Sequence, residues 1–116
     1  MSTLKVDTWK SSDGVNEFFK CRAWVNFDST GVLAVRASGN VSSVVDNAVG
    51  NFGVNFSNAL ADASYAVVTS KEPVLTAGSG EVGSMLVSQT SAAFQLYVTA
   101  NGSLVDNGNI HAAVFR

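Results

Sequence analysis

At 116 residues the chain has the length of one domain, and 47% apolar residues suffice for a single core. Only 14% of residues are charged and the net charge is −2, with seven Lys and Arg scattered along the chain. A typical soluble domain is roughly 25% charged, so Ser, Thr and Asn carry this surface. No basic footprint for nucleic acid is present, and no run approaches the roughly 18 apolar residues that read as a membrane span.

Residues 1–17 contain few large apolar side chains, Leu4, Val6 and Trp9 among them, and Ser11-Ser12-Asp13-Gly14 reads as a turn or linker. This stretch is expected to form an extended N-terminal arm that docks on the domain or on a neighbouring subunit; the alternative is a first strand of the domain itself. The start has no secretory pattern, so synthesis in a reducing compartment is expected.

From residue 18 to residue 116 apolar residues alternate with a period of two, the mark of half-buried strands. Phe19, Cys21, Ala23, Val25 and Phe27 share one face of the first strand; Lys20, Arg22, Trp24 and Asn26 share the other. Asp28 to Gly31 turns the chain into Val32–Ala37, where Leu33, Val35 and Ala37 oppose Val32, Ala34 and Arg36. Ser38-Gly39-Asn40 breaks the pattern before a short strand at Val41–Val45, and a connector follows to Asn51. Phe52, Val54 and Phe56 line the next strand; Asn58 to Ser64 reads as a loop with room for one helical turn. A strand from Tyr65 to Ser70, Pro73 at an edge or loop, and a flexible run from 77 to 80 come next. Met85–Ser88 and Ala93–Thr99 are strands, Asn101-Gly102 and Asp106–Asn109 are turns, and Ile110, Ala112 and Val114 alternate with His111, Ala113 and Phe115 in a closing strand. The expected fold is all-β: one antiparallel β-sandwich or jelly-roll-like domain of about seven or eight strands with an N-terminal arm.

No catalytic constellation emerges. Cys21 is the one cysteine, which excludes an internal disulfide and a cysteine-based zinc cluster, and its place in the first strand reads as core. His111, the one histidine, lies in the closing strand as a surface or inter-subunit hydrogen-bonding residue. Most of the nine acids fall in turns, and no EF-hand, phosphate loop or nucleophile elbow is present. Asp46-Asn47 and Asp106–Asn109 would offer calcium ligands only if their loops met. The expectation is a protein without catalytic, cofactor-binding or metal-binding residues. The contact candidates are Trp9, Arg22, Trp24, Asn26 and Arg36, because Trp and Arg are enriched at interface centres and Trp24 stands on the polar face between Arg22 and Asn26. The alternative for Trp24 is burial of both faces of its strand.

Arg22-Ala23-Trp24-Val25-Asn26-Phe27 and Arg36-Ala37-Ser38-Gly39-Asn40-Val41-Ser42-Ser43 carry a more specific likeness, with Asp62-Ala63-Ser64-Tyr65-Ala66-Val67 and Val114-Phe115-Arg116 beside them. Together they resemble a small β-domain that recurs in tail-fibre-type virion proteins of tailed bacteriophages, especially those of marine bacteria and cyanobacteria. The likeness is clearest over residues 4–70, with Leu4-Lys5-Val6-Asp7-Thr8 similar to the lead-in of such modules. Ala48-Val49-Gly50-Asn51 departs from it, since a Gly- and Thr-richer turn is more usual there. The resemblance implies a non-enzymatic virion structural protein made in the host cytoplasm. It would be displayed outside the particle as a homotrimer, contacting other tail or capsid proteins and a host surface glycan or protein. With Met1 directly before the module and no heptad-patterned shaft, a second expectation is a capsid decoration (cement) protein or short head fibre.

Overall fold

The computed structural model describes residues 2–3, 5, 7–72, 82–100 and 102–116. The expectations for Leu4, Val6, Pro73, the run from 77 to 80 and Asn101 fall outside them. The chain is all-β, and no helix occurs among the described residues.

β1 (Trp9–Lys10) and β2 (Glu17–Phe18) form a small hairpin that belongs to neither large sheet, with Trp9 opposite Phe18. Its turn is closed by Gly14 N–H on Ser11 O at 2.8 Å and Ser11 N–H on Asn16 O at 2.8 Å, with Gly14 at φ 74°. Asp13 accepts from Val15 N–H at 3.0 Å and from the Ser11 hydroxyl, and these bonds, the hydroxyl first, hold its carboxyl below the usual range.

β3 (Cys21–Asp28), β4 (Ala34–Gly39), β7 (Ala66–Lys71) and β11 (Ile110–Phe115) make an antiparallel sheet in the order β4-β3-β11-β7. In the second sheet β5 (Val41–Ala48) pairs with β6 (Asn51–Phe56), and β6 pairs with β9 (Ala93–Ala100). β8 (Val82–Gln89) lies on the other edge of β9, and β10 (Ser103–Leu104) continues the line of β6 beside Thr99 and Ala100.

The core lies between the sheets and comes directly from the period-2 pattern. Ala23, Val25, Phe27, Ile110, Ala112 and Val114 point inward from one sheet; Phe52, Val54, Phe56, Phe94, Leu96 and Val98 answer from the other. Phe27 meets Phe52 edge to face at 5.2 Å between centroids, and Tyr65 meets Phe56 at 5.7 Å. The Tyr65 hydroxyl lies 2.9 Å from both Thr90 O and Ala93 O, tying the loop before β7 to the turn between β8 and β9.

Three local expectations are corrected. Cys21 is exposed rather than core, because a register shift between Val114 and Phe115 ends the inward alternation at Ala23. Phe19, outside the strand, is 77% exposed. In β4, Asn26 pairs with Ala37 but Phe27 with Val35, so Arg36 is the extra residue of a bulge; Leu33 packs on the core while Val35 and Ala37 are exposed. Residues 58–64 form bends with no helical turn.

Asn40 carries the chain from the first sheet to the second at φ 53°, a left-handed conformation that Asn tolerates. Its side chain donates to Arg22 O and Asn58 O, both at 3.1 Å, and accepts from Asn58 N–H at 2.8 Å; its carbonyl accepts from Ser57 N–H at 3.1 Å. Asn40→Ala keeps the strained φ and loses three bonds, so urea unfolding should report a loss of roughly 2–4 kcal/mol. Asn40→Gly relieves the backbone and should cost clearly less.

A buried polar joint closes the opposite end. Ser29 is fully buried; its N–H and hydroxyl donate to Asn107 O at 3.0 and 3.1 Å, and its hydroxyl accepts from Asn107 N–H at 2.9 Å. Asn107 also donates through Nδ2 to Glu72 O at 3.1 Å and accepts from Asn109 N–H at 3.0 Å. The Ser29 and Asn107 side chains together thus fix the start of β11 against the ends of β3 and β7.

Candidate contact face

The outer surfaces of the two sheets differ. On the second sheet bonded polar groups surround Val45 and Tyr97: Gln95 donates to Asn51 Oδ1 at 2.7 Å, Asn55 donates to the Ser43 hydroxyl at 3.0 Å, and Ser88 lies 3.5 Å from Gln95 Oε1. On the first sheet aromatic, small and polar groups stand in ordered rows. The pairing places Gly39, Trp24, Ala113 and Val68 side by side across four strands, and Ala37, Asn26, His111 and Ser70 in the next row.

Gly39 explains how Trp24 lies. A Cβ on Gly39 would stand 2.8 Å from Trp24 Cδ1 and closer still to Nε1, so the indole rests on the glycine backbone across the strand pair. This is the cross-strand covering of a glycine by an aromatic ring. The two stretches that carry the phage-fibre likeness, around Trp24 and around Gly39-Asn40, therefore pack on one another. Trp24 stays 44% exposed and Val68 60%, with only the Ala113 methyl between them. A shallow groove of about 300 Å³ follows this line, bordered also by Asn26, Ser70 and His111.

Arg36 reaches along the face from its bulge. Its Nη1 lies 3.5 Å from Asn26 Oδ1 and 3.3 Å from Asn109 Oδ1, and its Nη2 lies 3.4 Å from Asp28 Oδ2. His111 Nε2 is 2.8 Å from the same Asn109 oxygen. The Thr30 hydroxyl and N–H donate to Asp28 at 2.5 and 2.8 Å, and these bonds, more than the Arg36 charge, hold the Asp28 carboxyl below its usual value. Both asparagine oxygens are thus occupied, and the two carboxamide nitrogens meet no partner among the described residues.

Of the sequence candidates, Trp24, Asn26 and Arg36 share this face. Arg22 lies at the end of the sandwich, where its Nε donates to Arg116 O at 3.1 Å beside a recess of about 650 Å³ bordered by Asn40, Asn58 and Leu60. Trp9 is in the hairpin, 50% exposed, with the Lys20 ammonium 5.6 Å from its ring centre. Sequence reading missed Gly39, Val68, Asn109 and Ala113 as members of the face. Alternation put His111 and Ala113 on one side of the closing strand, but nothing local told which strands would flank it. Among the described residues no three His, Cys, Asp or Glu cluster as metal ligands; Asp106 instead accepts from Gly50 N–H at 3.1 Å.

Near the recess Asp62 receives Arg116 Nε at 3.0 Å and Nη2 at 2.8 Å, and Ser64 N–H at 2.8 Å. The Arg116 bonds first, then the Ser64 bond, pull its pKa from 3.8 to about 2. The folded value is depressed, so this site stabilises the fold above pH ~4 and the contribution is lost as pH falls through ~2. An NMR titration should find the Asp62 midpoint near 2, and Arg116→Met should move it most of the way back toward the ordinary value.

Comparisons with protein-family models, characterised proteins and solved structures returned no match, so the chemistry of this face rests on its own geometry.

Proposed function

We propose that the chain is a non-enzymatic structural module on the exterior of a tailed-bacteriophage virion, a fibre-type domain that attaches to the host surface and works as a homotrimer. The observation that carries the attachment role is the outer face of the four-stranded sheet, where Trp24 and Val68 are exposed beside Arg36, Asn26 and His111. Exposed Trp and Arg side by side are the residue types that dominate contact energetics. The phage setting is supported by the sequence resemblance, whose two strongest segments supply Trp24, Asn26, Arg36 and Gly39 of this face. The test is retention of the purified, labelled chain on a panel of marine bacterial and cyanobacterial cells, with sedimentation equilibrium for the trimer. Saturable retention on some strains and protection of those strains from infection is the expected result; no retention on any strain, by a protein shown to be folded, would refute attachment.

A second reading, capsid decoration, is favoured by the hairpin. Trp9 and Phe18 on this hairpin, which lies outside both sandwich sheets, and Phe19 directly after it are all at least half exposed, a form suited to clipping onto a neighbouring shell subunit. Quantitative mass spectrometry of the intact virion separates the two: a copy number near that of the shell protein means decoration, and a few copies per particle means a fibre.

A further inference from the structure

We propose that the groove between Trp24 and Val68 is a binding site for one neutral pyranose ring of a glycan. The width comes from strand geometry. β3 and β7 both pair with β11, so Trp24 and Val68 stand two strand spacings apart, roughly 10 Å. The residue between them is Ala113, whose methyl leaves a trough one flat ring wide.

The chemistry of the borders matches a sugar better than an apolar ligand. An aromatic ring carries negative potential on its faces, and the polarised C–H groups on one side of a pyranose pack against such a surface. Trp24 offers that surface, already seated on Gly39, so little ordering entropy is lost on binding. Hydroxyl groups at the ring edge need donors and acceptors, and the next row supplies Asn26, His111 and Ser70. Arg36 occupies the oxygens of Asn26 and Asn109, which leaves their carboxamide N–H groups as donors. Asn109 is itself set by its N–H bond to the buried Asn107. Asn26, Asn109 and His111 are thus linked through Arg36 and the shared Asn109 oxygen before any ligand arrives.

The neutral charge follows from the ion pairing. Arg36 is the cation of the face and Asp28 is its anion, 3.4 Å away. An acidic sugar would have to compete with Asp28 for the guanidinium. A second copy of the chain fits less well: a flat sheet-on-sheet contact would bury the row of Asn26, His111 and Ser70 against Trp24 and Val68 rows with no match for its polar groups.

The site gives the attachment reading its ligand class, and depends on that reading only for its setting. The test is a titration of the ¹⁵N-labelled full chain with methyl glycosides of glucose, galactose, mannose and N-acetylglucosamine, with methyl glucuronide as the anionic control. At least one neutral glycoside should give saturable shifts at the Trp24 indole N–H and the Ala113 and His111 amides, with an affinity on the order of millimolar. Trp24→Ala should weaken it at least ~10-fold, about 1.4 kcal/mol, with core resonances unchanged. Gly39→Ala, which keeps the indole but pushes it off its seat, should weaken it too. No shifts from any neutral glycoside up to ~50 mM, within millimolar detection, would overturn the site. Tighter binding of the glucuronide, shifts confined to the Arg22 recess, or shifts at this face that follow protein concentration without sugar would each overturn it as well. Sugar binding without cell retention would refute attachment and leave the site standing; retention on cells that no neutral sugar disturbs, with no shifts, would refute the site and leave attachment standing.

Discussion

Gly50→Ala should cost the fold roughly 3–5 kcal/mol, comparable to a deleted core aromatic ring. Gly50 has φ 65° and is buried where β6 hands over to β10 along the edge of β9. A methyl there would stand 2.7 Å from Val105 N, 2.7 Å from Val98 O and 2.9 Å from Leu104 Cβ. Two of those atoms are backbone and cannot swing aside. The left-handed φ alone costs roughly 1–2 kcal/mol with a side chain. The rest comes from the bonds that the methyl would pry apart: Val98 N–H to Gly50 O at 2.9 Å, Val105 N–H to Val98 O at 2.9 Å and Gly50 N–H to Asp106 at 3.1 Å. Each is worth about 1 kcal/mol net. Urea unfolding gives the magnitude, and hydrogen exchange at the Val98 and Val105 amides tells where the damage lies. A loss below about 1 kcal/mol would mean that the junction relaxes freely, against the packing described. The same residue lies in the one turn where the sequence departs from the phage-fibre pattern, so a locally different turn is still tightly built.

Phe27→Ala should cost a similar 3–5 kcal/mol, roughly a third or more of the stability of an ordinary domain. Phe27 is fully buried, and its ring meets Phe52 edge to face across the interface between the sheets. Its removal loses the transfer free energy of the ring, the aromatic pair and the close packing around a cavity that neighbouring strands can fill only in part. Because Asp28 and Ser29 follow directly, loosening should spread to the joint with Asn107 and on to Asn109. The expected signature is a lower urea midpoint with an unchanged slope, together with shifts of the Asn109 and His111 amides on the outer face. Shifts confined to the core would mean that the face is held independently of it.

The all-β class was legible in the sequence because strict alternation in 52–56, 94–98 and 110–114 leaves no other way to bury eight large side chains on one side. The bulges were not. An extra residue at Arg36 changes which face Val35 and Ala37 occupy but leaves no mark on local composition. The end of the alternation at Cys21 is likewise set by a register shift with β11, an element at the far end of the chain. The candidate face was half legible. Trp24 stood out as an aromatic residue on a polar side, and Asn26 and Arg36 followed by proximity. Gly39 looked like a break between strands, although its missing side chain is what seats the indole. Val68, Asn109 and Ala113 belong to the face through strand order alone, which depends on long-range pairing and has no short-range signal.

The measurement that bears most directly on the contact face is a paired comparison of cell retention for Trp24→Ala and Asn55→Ala. Asn55 lies on the outer surface of the other sheet, bonded to Ser43. With both variants shown to be folded, retention should fall at least ~10-fold for Trp24→Ala, the equivalent of about 1.4 kcal/mol, and stay unchanged for Asn55→Ala. Equal retention by Trp24→Ala, or a loss seen only with Asn55→Ala, would contradict the assignment of attachment to the Trp24 face.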